Sequence, residues 1–360
     1  TITVSSTSDS TIEKTEDFTV VLSTQSHGTI ADNTGVGDII TDDEAIICDS
    51  GTLSTTCIIN SLHAIGNGVS IMGTGNIIVQ SGGSFSNTNN LETYNIDMDG
   101  DVTIQSGGNI VGNVTTFLAT NLTIDAGGGL SADGLGELGG YSNGNTENGN
   151  GSGGSLGTTA MINEGAGGAS HAGTGGTGTA GFVGGSTYGT SSNPTSFGSG
   201  GGGVTNSQRR GGDGGGYIDI DLTGTLTVNG TLSANGEAGL TYSNEAGGGG
   251  SGGSLNLNVA SIDGTGSITS SGGAGAERSG GGGGGYIAII GTDHAFPGSI
   301  DISPGITGGT TAATGGDRGI YYLSLSSADD ICDTGTLATT CTVSTENTVP
   351  DGFSITGAGS

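Results

Sequence analysis

The sequence contains no tryptophan, and only five lysines and arginines stand against 34 aspartates and glutamates, giving a formal net charge of −29. A surface of that sign repels phosphate backbones and anionic membranes at long range, which argues against a nucleic-acid partner. Arg209-Arg210-Gly211-Gly212 has the form of an RNA-binding RGG segment, but it occurs once and reads as a solvated loop. No apolar run approaches the roughly 18 residues of a membrane span, so no membrane insertion is expected within this chain. Residue 1 falls inside a strand-like pattern with no charged start or apolar signal region, so any export signal or anchor is expected outside it. Proline is scarce, at 4 residues, and no G-x-y period runs through the 81 glycines, which excludes collagen.

The same shortages weigh against catalysis. A phosphate-binding P-loop needs Gly-Lys-Ser/Thr, yet the sole lysine is Lys14, in an acidic turn. Among so many glycines a chance GxGxxG match carries no information. His27, His63, His171 and His294 lie in turn or loop contexts with no G-x-S-x-G elbow nearby, and each reads as a surface residue. Lyases acting on uronates need cations to neutralise the substrate carboxylate. Glycosidases need two facing carboxylates in an aromatic groove, and Asp219 and Asp221, alternating along one strand, would lie side by side on one face. No enzyme is expected. Thr223, Thr225 and Thr227 form one Thr-x-Thr run of the kind that ice-binding arrays repeat, but hydroxyls are common on exposed strand faces.

Glycine, at about three times ordinary usage, dominates what is present. Ile, Leu and Val recur in short alternating runs suited to a narrow core, so an ordered, loop-rich β protein is expected. Residues 47 to 76 (ICDSGTLSTTCIINSLHAIGNGVSIMGTGN) match residues 331 to 360 (ICDTGTLATTCTVSTENTVPDGFSITGAGS) at a constant offset of 284, with 14 of 30 positions identical. Cys48 and Cys57 thus correspond to Cys332 and Cys341. Each pair has the spacing C-x8-C around a turn-rich loop, for which zinc is a rival to a disulfide. Zinc sites want closer cysteines and further ligands nearby, so disulfides Cys48–Cys57 and Cys332–Cys341 are favoured. Closing so short a loop stabilises by ~2.5–3 kcal/mol on the chain-entropy view. Disulfides imply an oxidising compartment and hence an extracellular or cell-surface location.

Asn76-IIVQSGGSF-Ser86, Asp101-VTIQSGGNI-Val111 and Asn121-LTIDAGGGL-Ser131 are units of one kind: a short alternating strand, a Gly-Gly turn, a second strand. Their regular spacing predicts the turns of a parallel β-solenoid, with an antiparallel sandwich as the rival. Residues 136 to 216 are so rich in Gly, Ser, Thr and Asn that alone they read as a flexible linker, although the glycine tracts that follow argue partly against this. Gly280 to Gly285 are expected to be ordered, because backbones without Cβ atoms can pack closely in polyproline-II-like layers. Asp97-Met98-Asp99-Gly100-Asp101 looks at first like a calcium loop but lacks the EF-hand order. Asn113, Asn121, Asn150 and Asn229 head Asn-x-Ser/Thr sequons and are candidate glycosylation sites.

TIEKTEDFTVVLSTQSHGTIADNTGVGDIITDDE resembles the closing half of a Calx-β domain, with its "vE..E.F.v.L" strand and terminal "G.I.DDE". The resemblance implies a β-sandwich that binds calcium at one end, with Glu13, Glu16, Asp42, Asp43 and Glu44 as candidate calcium ligands here. The opening strands of that family are missing, so another segment would have to complete the sandwich. The order "GGGSGGS-strand, G-strand, NGG.G loop, GGGGGGY-I-x-I", over about residues 145 to 292, is similar to a glycine-rich β-solenoid module of large secreted and surface proteins of microbes. It implies a structural or adhesive role and brings no catalytic set.

The expectation is therefore an all-β chain. A partial Calx-β-like sandwich (1–45) is followed by a glycine-rich parallel β-helix with long Gly-rich loops (46–330), opened by a disulfide-stapled junction. A second copy of the junction starts at 331–360. The expected function is that of a repeating subunit of a microbial extracellular filament or sheath, self-associating and in contact with surface glycans or neighbouring cells. A segment of a giant adhesin stalk is the alternative.

Overall fold

The computed structural model describes residues 16–21, 34–39, 47–141, 148–157, 164–179, 181–204, 210–242, 245–291, 296–307, 309 and 313–325. Every element among them is a β-strand, and no helix is long and apolar enough to cross a membrane.

From Thr56 onward the chain visits three stacks of parallel strands in turn. The first stack holds Thr56–Ile59, Asn76–Val79, Val102–Ile104 and Leu122–Ile124, then the later halves of Tyr217–Val228 and Ser254–Asp263. The second runs from Leu62–Ala64 through Ser84–Ser86, Asn109–Val111, Gly129–Ser131, Thr231–Ser233 and Ser267–Thr269 to Ser299–Asp301. The third holds Ser70–Gly73, Thr93–Met98 and Asn113–Ala119, the early halves of the two long strands, then Tyr286–Gly291 and Ile320–Leu325. All of these pairings are parallel, so the antiparallel rival fails over these residues.

The strands form because apolar and polar residues alternate, and a period of two sends one set inward. Thr93–Met98, for example, buries Tyr94, Ile96 and Met98 and leaves the residues between them half-exposed. Stacking in register then lines like side chains into columns. Cys57, Ile77, Val102, Leu122, Leu226 and Ile262 form one; Phe85, Ile110, Leu130, Leu232 and Ile268 another; Ile71, Ile96, Phe117, Ile220, Leu257 and Ile289 a third. These residues belong to a single continuous core. Each fully buried aliphatic side chain contributes ~1.5–3 kcal/mol, so one turn adds its own share of the core.

Between the first and second stacks the Gly-Gly turns have a division of labour. Gly82, Gly107 and Gly127 take φ of 86°, 80° and 85°, a conformation costly for other residues. The following Gly83, Gly108 and Gly128 lie against the carbonyls of Ile59, Val79 and Ile104 in the preceding turn, where a Cβ would collide.

From the second to the third stack the later turns detour through long glycine-rich arms: 132–216, 234–253, 270–285 and 302–319. The described parts of these arms pack on one another as a bundle held by backbone hydrogen bonds. Gly280 and Gly283 donate to Ala166 and Ala169, Gly281 and Gly284 to Thr314 and Asp317, Gly282 and Gly285 to Gly273 and Ser270. Their carbonyls accept as regularly: those of Gly280 and Gly283 from Gly249 and Gly252, those of Gly281 and Gly284 from Gly176 and Gly173. Returning to the same neighbour every third residue is the signature of a polyproline-II-type backbone, which has three residues per turn. Cβ atoms built on Gly280 to Gly283 would overlap the carbonyls of Gly176, Gly305, Gly250 and Gly173. Close approach is thus why the tract is glycine.

The bundle corrects the linker reading of 136–216. Residues such as Ala169, Gly173, Gly176 and Gly212 in that region are buried and donate through their backbones to Gly249, Gly284, Gly281 and Gly248 of other arms. Composition suggested mobility because a glycine segment can gain its order only from partners distant in sequence.

At the other end, Ser50–Gly51 pairs antiparallel with Thr56–Ile59, and Cys48 is bonded to Cys57 with an S–S length of 2.04 Å. Gly51, at φ 79°, makes the tight turn possible, and Leu53, 1% exposed, covers the first turn of the core. Of the expected sandwich, the described residues comprise only an antiparallel pair, Glu16–Val21 with Thr34–Ile39. Cys332, Cys341 and the rest of the second junction copy lie outside the described residues.

Candidate functional site

The junction hairpin brings Asp49, Ser61 and His63 together. Asp49 Oδ2 accepts the N–H groups of Asn60 (2.6 Å) and Ser61 (2.8 Å), and Oδ1 accepts the Ser61 hydroxyl (2.6 Å). His63 Nε2 lies 3.2 Å from Ser61 Oγ and 3.3 Å from Asp49 Oδ2. The Ser61 hydroxyl and the Asn60 N–H hold the Asp49 carboxyl well below the usual carboxylate range. These residue types suggest a triad, but the roles do not fit. A relay needs histidine between serine and aspartate, using one ring nitrogen for each, whereas here a single nitrogen meets both and the serine is already bound to the carboxylate. The cluster pins the turn that follows the disulfide-linked strand.

The sequon asparagines fall into different settings. Asn113, 0% exposed, donates through Nδ2 to the carbonyls of Glu92 and Leu135, both at 3.0 Å, and accepts the Tyr217 N–H at 3.0 Å. A glycan on that nitrogen would replace one of two amide hydrogens that are both already donated, so in the folded chain Asn113 serves as a structural residue. It fills the place where the chain leaves the stack for its longest arm. Asn121 donates to Asp101 Oδ1 (2.8 Å) and accepts the Thr225 N–H (2.7 Å), while Asn76 accepts the Asp101 N–H (2.8 Å). Together these form a ladder along one corner. Asn229 accepts the Thr265 N–H at 3.2 Å, and Asn150 is exposed. The sequence signal for the ladder was present, since Asn76 opens the first strand of its unit and Asp101 and Asn121 stand immediately before theirs.

Asp219 and Asp221 share one outward face of Tyr217–Val228, as their alternation predicted. Asp219 accepts from Tyr217 Oη and Asn256 Nδ2, both at 2.9 Å, and Asp221 accepts from Asn258 Nδ2 at 3.2 Å. Burial raises the Asp219 pKa, against the lowering effect of those two bonds. Asp97, Asp99, Thr120 and Asp221 line an open groove of about 300 Å³. Among the described residues no group of three or more His, Cys, Asp or Glu is placed to hold a metal ion. Of the candidate calcium ligands, Glu13, Asp42, Asp43 and Glu44 lie outside the described residues, and Glu16 is described only as the first residue of a strand.

Two polar centres inside the glycine bundle were not anticipated. Asp213, 3% exposed, accepts the Gly139 N–H (2.6 Å) and Asn90 Nδ2 (3.2 Å) and pairs with the Arg210 guanidinium. Asn90 Nδ2 also lies 2.8 Å from the Gly134 carbonyl, so this centre ties the bundle to the strand stacks. His171, read from sequence as a surface residue, is 0% exposed. Its ring lies between those of Tyr188 and Tyr286, with centroids 4.6 and 4.9 Å away. Nδ1–H donates to the Gly252 carbonyl at 2.8 Å, while the buried Nε2 has no partner. Burial pushes its pKa down to about 4. A sequence of small residues around His171 gave no sign that Tyr188 of its own arm and Tyr286 of a strand in the third stack would enclose it.

Asn113, Asn121, Asp213 and His171 thus direct their polar atoms to the backbone or to neighbouring turns. Compared with known proteins, the chain matches no family model, no curated protein and no solved structure, so its resemblances to the Calx-β and glycine-rich solenoid families rest on the sequence motifs alone.

Proposed function

We propose that this chain is a structural module of an extracellular assembly, a β-solenoid that serves as the repeating subunit of a microbial surface filament or sheath. The observation carrying this reading is the continuous, backbone-bonded stack from Thr56–Ile59 to Ile320–Leu325 with the glycine bundle fused along it. Such a body is held by contacts between neighbouring turns and suits extension or load better than closure around a substrate. The Cys48–Cys57 disulfide fits an oxidising compartment. The acidic composition, at −29, keeps such bodies soluble until specific contacts join them.

Imaging native surface material, together with intact mass measurement of its chains, tests the proposal. Thread- or sheath-like particles assembled non-covalently from many copies of a chain that carries this module once are the expected result. One covalent chain of far greater mass would transfer the reading to an adhesin stalk, and compact single particles would overturn both. The calcium reading of segment 1–45 has its own check: a melting temperature unmoved by chelator removes it.

A further inference from the structure

Asparagine followed by glycine is a pair at which a backbone can modify itself. The glycine nitrogen attacks the asparagine side-chain carbonyl carbon, the side-chain nitrogen leaves as ammonia, and water then opens the cyclic imide to aspartate or isoaspartate. Two features of a folded chain oppose the first step. A glycine N–H held by an acceptor keeps its nitrogen away from the carbonyl, and a side-chain oxygen held by a donor keeps the amide from turning.

Five such pairs fall in the described residues: Asn67-Gly68, Asn148-Gly149, Asn150-Gly151, Asn229-Gly230 and Asn235-Gly236. In four the glycine nitrogen is held: Gly68 donates to Thr93 O (2.7 Å), Gly149 to Ser155 O (2.9 Å), Gly230 to Ile124 O (3.0 Å) and Gly236 to Ser271 O (2.9 Å). The same four have the side-chain oxygen held by a backbone N–H: Asn67 by Thr93 (3.0 Å), Asn148 by Gly157 (3.0 Å), Asn229 by Thr265 (3.2 Å) and Asn235 by Ser271 (2.8 Å). Asn150-Gly151 has neither restraint, and both residues are exposed. The Asn150 backbone is nonetheless anchored, donating to Leu138 O (2.9 Å) and accepting from Gly200 N (3.0 Å).

We infer that Asn150-Gly151 is a self-modification site, the described pair at which the folded chain converts through a succinimide to aspartyl and isoaspartyl forms. Each conversion releases one ammonia, consumes one water and adds one carboxylate to a chain already at −29. The isoaspartyl product inserts a methylene into the backbone three residues before Gly153, whose N–H donates to Ser199 Oγ at 3.0 Å. Conversion therefore loosens the bundle at that contact and marks the age of the molecule.

The test uses folded, unglycosylated protein incubated at neutral pH in oxygen-18 water, then digested and sequenced by tandem mass spectrometry to separate Asn150 from Asn148 and Asn143. Labelled aspartyl and isoaspartyl product should accumulate at Asn150 on the order of tenfold faster than at Asn67, Asn229 or Asn235, and denaturation should remove the difference. An unchanged Asn150, or equal conversion at the other three in the folded protein, overturns the inference.

Discussion

Gly283 and Gly315 belong to the same bundle under different constraints. A Cβ on Gly283 would run into the Gly173 carbonyl, whereas one on Gly315 would lie 3.2 Å from the Gly305 carbonyl oxygen. Gly283→Ala should therefore cost about 3 kcal/mol by overpacking and Gly315→Ala less than about 1, measured by denaturant unfolding. Equal costs would mean that the bundle is not close-packed at Gly283. His171 yields a prediction in pH. Its folded pKa of about 4 lies below the ordinary 6.5, so between those values the unfolded chain binds the extra proton. Its contribution to stability is full above the unfolded value, declines as pH falls from 6.5 toward 4, and reaches a loss of ~3 kcal/mol. Burial raises the pKa of Glu137, Asp219 and Glu237, which act in the opposite sense as pH falls, so the measurement is the difference between wild type and His171→Phe. The variant should lose part of the wild type's acid sensitivity; identical pH profiles would place His171 in solvent.

At the scale of elements, the repeated strand, Gly-Gly turn and strand units were legible because each signal was local. Ile77 and Val79, then Val102 and Ile104, alternate over three or four residues, and a glycine pair marks the turn. The arms were not legible in the same way, because their order resides in backbone bonds such as Gly283 to Ala169 or Gly252 to Gly283, which no side-chain pattern encodes. Asn113 and His171 escaped for a related reason, since their partners Tyr217, Tyr188 and Tyr286 come from remote segments. The hairpin that begins the first turn was legible from C-x8-C and its turn-rich loop. Reducing Cys48–Cys57 should cost ~2.5–3 kcal/mol if the stack unfolds as one unit. If the first turn frays independently, exchange will instead rise only around Thr56–Ile59 and Leu62–Ala64, and amide hydrogen exchange of the reduced protein distinguishes the two outcomes.

At the scale of the whole molecule, two packing systems share one chain. The strand stacks are ordered by side-chain columns, so a substitution such as Phe117→Ala leaves a hole between Ile96 and Ile220. The glycine bundle has few side chains to align, and its bonds recur with the backbone's own period of three. That period has a consequence for how such a chain can change length. Inserting three residues in an arm returns every peptide group beyond the insertion to its former orientation, whereas one or two residues rotate the rest by a fraction of a turn and break its contacts. Arms of this kind can therefore grow and shrink by triplets across generations while their neighbours need no compensating substitution.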